Sequence, residues 1–213
     1  MDKGADNDGN PGVRPIGIGE ALRRVIGKSV MSILKSDIQK AGGCLQTCSG
    51  IRSGIEAAIH ATNTAWNLDG TECLLQVDAN NAFNRFNMKV ALHNIQEVCP
   101  PLVTFLYNHY QSAAPLFVND NKQQEMFLSK EGCTQEDPTA MSFYALGVKP
   151  LVDSLAECTD KENCKQAWYA DDSSATDKLQ EIKTGGITLI CLATSLDIIQ
   201  KPANLSLFLK MSL

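Results

Sequence analysis

The chain has 213 residues, of which 44% are hydrophobic and 20% charged, and its formal net charge is −5. This composition is typical of a folded domain rather than a disordered chain. The acidic balance argues against a protein that binds nucleic acid alone through a basic face. The most apolar stretch, GGITLICLATSLDII (185–199), contains an acid and is too short to span a bilayer, so we expect no membrane partner.

The start of the chain and its cysteines indicate the compartment. Met1 is followed by DKGADNDGN, which lacks the apolar segment of a signal peptide. The eight cysteines are scattered, and their spacings do not form paired zinc knuckles. We therefore expect free thiols in a reducing intracellular compartment, cytoplasm or nucleus, and no zinc site.

The N-terminal third reads as a lead-in followed by two helices. Residues 1–12 are rich in Asp, Asn and Gly, which predicts a flexible segment. The segment GVRPIGI (12–18) is expected to be extended, because Pro15 disfavours a helical conformation at Arg14. From Glu20 the apolar residues recur at helical spacing until Gly42, and a second helix is predicted over 51–66.

The remaining chain mixes helices with strand pairs. ECLLQVD (72–78) predicts a buried strand that ends on Asp78. Two further segments read as strand–turn–strand: PLFVNDNKQQEMFLS (115–129) and KQAWYADDSSAT (165–176). Helices are predicted over about 84–97, 100–110 and 139–155. This order predicts an α+β fold whose antiparallel sheet carries the acids.

Three acids fall at the ends of predicted strands. Asp78 ends one strand, and Asp171 and Asp172 occupy the turn of another strand pair. An Asp-Asp pair alone is explained by a solvated turn. If the strands are neighbours, the three carboxylates meet at one edge and repel each other unless a cation binds. Carboxylate oxygens suit Mg²⁺, which takes one or two of them together with substrate phosphates.

The segments around these acids resemble a known family. VDANNAFN (77–84), EGCTQEDPTAMSFYAL (131–146) and WYADD (168–172) occur in this order, preceded by GVRPIGIGEALRRVIGK (12–28). They resemble the fingers and palm motifs of reverse transcriptases (RNA-directed DNA polymerases) of non-LTR retroelements. The resemblance covers roughly residues 12 to 184, and the Tyr-Ala-Asp-Asp box is its most specific part.

The resemblance implies a right-hand polymerase with fingers and palm, an antiparallel palm sheet packed on helices, and no thumb. It divides the chain into a lead-in, a fingers portion, a palm with a fingers insertion, and an atypical tail. The implied bounds are 1–12, 13–70, 71–184 and 185–213.

The family's catalytic residues can be carried over position by position. The resemblance implies that Asp78, Asp171 and Asp172 are catalytic and that they hold two Mg²⁺ ions. The carbonyl of Ala79 would be a further metal ligand. The implied reaction is nucleotidyl transfer, in which a deoxynucleoside triphosphate is added to the 3′-hydroxyl of a DNA primer on an RNA template.

Five residues would bind substrate by the same resemblance. Phe83 falls where the family has its steric gate, a flat ring under the sugar that leaves no room for a 2′-hydroxyl. The alternative interpretation is that Phe83 is an aromatic residue of the core. Arg14 would contact the triphosphate, since a guanidinium offers two donors to phosphate oxygens. Gln135 and Pro138 would line the nucleotide pocket and template. Tyr169 would pack near the primer end, or is an edge-strand aromatic.

Basic contacts to a duplex are sparse. Arg23, Arg24 and Lys28 lie on the polar side of the first helix and either contact template backbone or form a solvated face. The family's upstream fingers lysine and its thumb have no counterpart here. We therefore expect weak affinity for a duplex through phosphate contacts.

One residue in the segment EGCTQEDPTAMSFYAL (131–146) departs from the family and leaves two functions open. Glu136 stands where the family has a glycine that lets backbone approach nucleotide and template. A carboxylate there opposes the phosphates. The chain is thus either an active polymerase domain or a catalytically inactive remnant of a retroelement. An RNA-templated RNA polymerase shares the acids but does not predict an aromatic at Phe83.

The tail also departs from the family. Relatives continue with Trp-Trp-Asp and later with Phe-Gly-Tyr-Tyr-Pro-Lys-x-Ser-Lys, whereas this chain reads TGGITLICLATSLDIIQKPANLSLFLKMSL (184–213). Read one base earlier, codons for residues 184–187 can spell Trp-Trp-Asp, and codons for residues 195–205 are compatible with the second missing stretch. We therefore expect a frameshift near Thr184 and a tail that packs poorly on the sheet; the alternative is a divergent tail.

Overall fold

The computed structural model describes most of the chain. The described residues are 2–5, 11–13, 18–79, 81–120, 123–134, 136–158, 165–195 and 204–209. Within these ranges, no helix is long and apolar enough to cross a membrane.

Helices and strands alternate along the described chain in an α+β order. In sequence they are β1 (Asp2–Ala5), β2 (Pro11–Val13), α1 (Ala21–Ile33), α2 (Lys35–Gly42), α3 (Gly54–Trp66), β3 (Cys73–Asp78), α4 (Ala82–Arg85), α5 (Met88–Val98), α6 (Pro100–Tyr110), β4 (Ala114–Asp120), β5 (Gln123–Ser129), α7 (Ala140–Gly147), α8 (Lys149–Cys158), β6 (Lys165–Tyr169), β7 (Asp172–Asp177), α9 (Leu179–Ser195) and β8 (Asn204–Leu209).

A four-stranded antiparallel sheet in the order β6-β7-β3-β8 forms the centre of the fold. Along β3, Cys73, Leu75 and Val77 are buried, and the intervening residues are half-buried or exposed. This period of two means that the sheet has one face in the core and one open face. Asp78 lies on the open face.

The largest apolar cluster lies among the helices. It includes the fully buried Ile95, Leu102 and Leu146. Aromatic rings run through it in contact with one another. Phe83 stacks on Tyr144 at a centroid distance of 4.8 Å, and Tyr110 stacks on Phe143 at 4.5 Å.

Phe86 joins these two stacked pairs. Its ring centroid lies 4.8 Å from that of Tyr144 and 5.6 Å from that of Phe143. The rings therefore make one continuous aromatic path from α4 to α6.

Helix boundaries differ from the sequence expectation at three places. The helix expected from Glu20 to Gly42 breaks at Leu34 into α1 and α2. The helix expected over 84–97 is α4 and α5, because the side chain of Asn87 caps α5 by accepting from two backbone N–H groups. The helix expected over 139–155 divides at Val148 into α7 and α8. The β4–β5 hairpin confirms the strand–turn–strand expected over 115–129.

Both ends of the described chain contain strands that the sequence analysis did not predict. β1 and β2 pair antiparallel, so Asp2–Ala5 and Pro11 form strands within the segment 1–12 that was expected to be flexible, and Val13 is extended as expected. α9 continues through Thr184, and β8 pairs with all six residues of β3, from Cys73↔Leu209 to Asp78↔Asn204. The tail therefore adds a full strand to the sheet, because strand pairing uses backbone groups that every such residue carries.

The loop before α7 is bonded to α4 through Gly132 and Cys133. The N–H of Cys133 donates to the carbonyl of Phe83 at 2.6 Å, and that of Gly132 donates to the carbonyl of Phe86 at 2.8 Å. Gly132 has φ +76°, and a Cβ on it would lie 2.4 Å from the Phe83 carbonyl oxygen. A side chain there meets both conformational strain and fixed backbone.

A buried polar network joins α1, α6 and the turn before α7. Nε of Arg23 donates to Nδ1 of His109 at 2.9 Å, which leaves Nε2 of His109 to donate to Asp137 at 2.6 Å. Asp137 also accepts from the backbone N–H and the hydroxyl of Thr139. Burial alone would raise the pKa of Asp137, but the bonds from His109 and Thr139 outweigh it and lower the pKa.

Replacement of Gly132 by Ala should destabilise the fold more than the same change at Gly70. Gly70 also has a positive φ, +87°, but nothing lies within 4 Å of the position that a Cβ would take there. Gly70→Ala therefore costs only the left-handed conformation, about 1–2 kcal/mol. Gly132→Ala adds the clash with the Phe83 carbonyl. Urea unfolding of both variants measures the difference; equal losses would contradict the packing role of Gly132.

Loss of the Asp137 carboxylate should flatten the acid limb of the stability curve. The lowered pKa means that the stabilisation from Asp137 is complete above its unfolded pKa, about 3.9, and is lost as pH falls through the folded value. Asp137→Asn should therefore lose less of its unfolding free energy than the unaltered chain between about pH 5 and about pH 2. Urea midpoints across this range test it, with Asp69→Asn, an exposed turn residue, as control; parallel curves for all three chains would refute it.

Candidate functional site

The Tyr-Ala-Asp-Asp segment forms the turn of the β6–β7 hairpin, as the sequence predicts. β6 ends on Tyr169, β7 begins on Asp172, and these two residues pair directly. Ala170 and Asp171 make the turn between them. Ala170 has φ +55°, a left-handed conformation that few residues other than glycine adopt.

Asp78 and Asp172 lie opposite each other at the end of the central strand pair. β3 and β7 are antiparallel, and Asp78 is in direct register with Asp172. Both residues are exposed. Side chains directly opposite in such a pair lie roughly 4.5–5.5 Å apart at Cβ, and like charges in this position repel. A cation between the two carboxylates would remove that repulsion.

Asp171 is half-buried, and its charge acts on groups on the core side of the turn. Burial raises the pKa of Cys48 to about 12, and the negative charge of Asp171 adds to this rise. Burial also raises the pKa of Cys133 and of Tyr144 well above their usual values, again with a contribution from Asp171. The two thiols and the phenol are therefore neutral near pH 7.

The three acids do not form one compact cluster. Among the described residues, no group of three or more His, Cys, Asp or Glu side chains is arranged to hold a metal ion. Asp78, Asp171 and Asp172 nevertheless lie at the same end of the sheet: Asp78 and Asp172 face each other across β3 and β7, and Asp171 occupies the turn directly before Asp172. Ala79, the expected carbonyl ligand, is buried directly after β3.

The facing acids border a groove of about 740 Å³ between α3 and the open face of the sheet. Asp78, Asp172 and Tyr169 line the groove at the end that carries the acids. The hydroxyls of Thr62 and Ser174, which both line the groove, lie 2.6 Å apart and connect α3 to β7. None of the described residues that line the groove is a lysine or arginine.

Phe83 lies in α4, five residues after Asp78, and is half-buried beside the core. Its ring stacks on Tyr144 with an interplanar angle of 23°, and its carbonyl accepts the short bond from Cys133. The side chain is thus packed on one face, in a position fixed by α4 and α7.

Pro138 lies against α1 instead of in the groove. A Cβ added to Gly27 would lie 3.6 Å from Pro138, an ordinary van der Waals distance, so α1 packs directly against this turn. Glu136, two residues earlier, is exposed. Arg14 and Gln135 lie outside the described residues.

Two polar residues near the site are engaged in ways that local sequence did not indicate. Arg23, considered for template contact, is bonded to His109. Gln46 is fully buried, and its side chain bonds to Ala170 of the hairpin turn. Gln46 lies in a loop without helix or strand periodicity, so no sequence pattern marked it.

The backbone resembles solved telomerase structures. Apo telomerase from Candida tropicalis, truncated from its C-terminal domain, matches with a TM-score of 0.66 and 12% identity over 87% of this chain and 41% of that chain. Telomerase from Candida albicans, solved in complex with the TWJ fragment of telomeric RNA, matches with a TM-score of 0.61 and 10% identity over 84% of this chain and 35% of that chain.

This chain therefore spans less than half the length of these telomerases. No family model matches its sequence, and no curated protein matches it either. Identities this low establish the fold alone. Since telomerase is related to the reverse transcriptases, the chain has a reverse transcriptase-like fold of mixed helices and antiparallel strands.

Proposed function

We propose that the chain is the fingers-and-palm portion of an RNA-directed DNA polymerase of a non-LTR retroelement. The observation that carries this proposal is the direct register of Asp78 with Asp172 in a reverse transcriptase-like sheet. The pair lies at the edge of an open groove that leads along the sheet. The reaction is transfer of a deoxynucleotide onto a DNA primer along an RNA template.

The donor atoms at this edge suit magnesium in their chemistry. Asp78 and Asp172 offer two facing carboxylates, and Asp171 and the carbonyl of Ala79 lie next to them in sequence. Mg²⁺ prefers one or two carboxylates completed by water and substrate phosphates, so a set of three close protein ligands is not required. A pair of bound ions would stabilise charge on the attacking and leaving oxygens.

The other proposed roles belong to residues that would position the substrates. Tyr169 lines the groove beside Asp172, which suits contact with the primer end. Phe83, held on Tyr144, would lie under the sugar of the incoming nucleotide. Arg14 would bind the triphosphate, and Gln135 and Pro138 would contact nucleotide and template. These roles follow from the family resemblance of their motifs.

A catalytically inactive remnant is the second candidate, and Glu136 is the observation that favours it. Glu136 is exposed in the turn between Gln135 and Asp137, in the segment proposed to face nucleotide and template. Its charge would repel phosphates, and no lysine or arginine among the described lining residues of the groove offsets it. The two candidates differ in whether this chain, as it stands, extends a primer.

Primer extension on an RNA template with Mg²⁺ tests the proposal. The unaltered chain should extend the primer, and Asp171→Asn/Asp172→Asn should lose roughly 100-fold or more, since several kcal/mol of charge stabilisation disappear. Asp37→Asn, an exposed acid on α2 that does not line the groove, is the matched control and should retain activity.

The same assay separates the two candidates. Extension by the unaltered chain that the double variant abolishes would exclude the inactive remnant. Extension that appears only in Glu136→Gly would show that this residue inactivates the present chain. Equal signals from the unaltered chain and the double variant would refute the assignment of the acids.

Discrimination between deoxynucleotides and ribonucleotides tests the role of Phe83. Phe83→Val opens space under the sugar, so incorporation of ribonucleotides relative to deoxynucleotides should rise on the order of tenfold or more. Phe117→Val, on the exposed face of the β4–β5 hairpin, is the control. An active Phe83→Val variant with an unchanged ratio would show that Phe83 is only a packing residue.

A further inference from the structure

Gln46 binds both backbone groups of a single turn residue. It lies in the loop between α2 and α3 and is fully buried. Its Oε1 accepts from the N–H of Ala170 at 2.9 Å, and its Nε2 donates to the carbonyl of Ala170 at 3.3 Å. A primary amide in this arrangement replaces the pairing that a neighbouring strand would give.

Two properties of Ala170, its left-handed conformation and its burial, make hydrogen-bond partners for its backbone important. Its φ of +55° places it in the left-handed region, which costs a residue with a Cβ roughly 1–2 kcal/mol. Ala170 is buried, so an unpaired N–H or carbonyl there would add a desolvation cost. The two bonds from Gln46 remove that cost and fix the residue directly before Asp171.

The loop that carries Gln46 is itself held against the hairpin. The N–H of Thr47 donates to the carbonyl of Trp168 at 2.8 Å, and the N–H of Trp168 donates to the carbonyl of Leu45 at 2.9 Å. A Cβ on Gly54 would lie 2.0 Å from the Thr47 carbonyl oxygen, so the start of α3 packs directly on this segment. Residues 45–47 therefore hold the Gln46 side chain in place before it meets the turn.

We propose that Gln46 is a positioning residue that acts through Ala170 to hold Asp171 and Asp172 in the placement that nucleotidyl transfer requires. This inference rests on the polymerase function proposed above. The loop between α2 and α3 is thus part of the catalytic apparatus. Replacement of a residue that orients metal ligands without touching the metal typically changes the affinity of the site for the metal.

The matched pair of variants is Gln46→Met and Gln39→Met. Methionine keeps the length of the side chain and removes its hydrogen bonds. Gln39 also donates from Nε2 into the same loop, to the carbonyl of Gly50 at 2.5 Å, but it does not bond to the hairpin. A change that is specific to Gln46 therefore reports on Ala170.

Hydrogen exchange followed by mass spectrometry gives a readout that needs no activity. In Gln46→Met, exchange in a peptide covering 167–173 should be about five- to tenfold faster, in keeping with the loss of a hydrogen bond. Gln39→Met should leave this peptide unchanged. Equal exchange in the two variants would overturn the proposal.

Metal affinity and kinetics supply the second readout. The dissociation constant for Mn²⁺, measured by EPR of the free ion, should rise about tenfold or more in Gln46→Met relative to Gln39→Met. In primer extension, kcat should fall while KM for primer–template stays constant. Unchanged Mn²⁺ affinity would overturn the proposal.

The proposal for Gln46 and the proposed polymerase function can be refuted separately. An unaltered chain that extends no primer refutes the proposed function, whereas the exchange and Mn²⁺ comparisons still decide whether Gln46 holds the acids.

If Gln46→Met does not fold, Gln46→Glu replaces it in the exchange experiment, because a carboxyl oxygen at this position can still accept from the N–H of Ala170. Slow exchange in Gln46→Glu supports the proposal, and exchange in that peptide at the rate of an unprotected turn contradicts it.

Discussion

The register between β3 and β7 is the constraint on which the site depends. A slip of one residue would turn every side chain of a strand to the opposite face. Asp78 would then turn towards the core, and Cys73 and Leu75 would turn towards the groove. The burial of Cys73, Leu75 and Val77 against Ile182 of α9 thus fixes where the carboxylates lie. Apolar packing on one face of the sheet sets the charge geometry on the other.

Much of the fold was predictable because its signals are local. The alternation along β3, the antiparallel pair β4–β5, and the hairpin that carries Asp172 are all readable from short windows. Leu34 and β8 were missed for a different reason. A helix break without Pro or Gly, and a strand whose partner lies more than a hundred residues away, leave no signature in neighbouring residues.

The residues of the candidate site also fall into two groups, those that local sequence indicates and those whose contacts join distant segments. Asp78 and Asp172 were identified by strand ends and by motif resemblance, and their pairing follows from sheet geometry. The core-side coupling of Asp171, the bond between Arg23 and His109, and the position of Gln46 depend on contacts between distant segments. No residue type or spacing near these side chains specifies their partners, so only the folded chain reveals them.

The pairing of β3 also sets an order for folding during synthesis. In the described chain, β3 pairs with β7 and β8, which begin about one hundred residues or more later in the sequence. The helices α5, α6 and α7 meet through nearer neighbours and can associate while the chain is still emerging. A ribosome therefore releases a helical body with an unpaired strand, and Asp78 acquires its partner only after β7 has been synthesised.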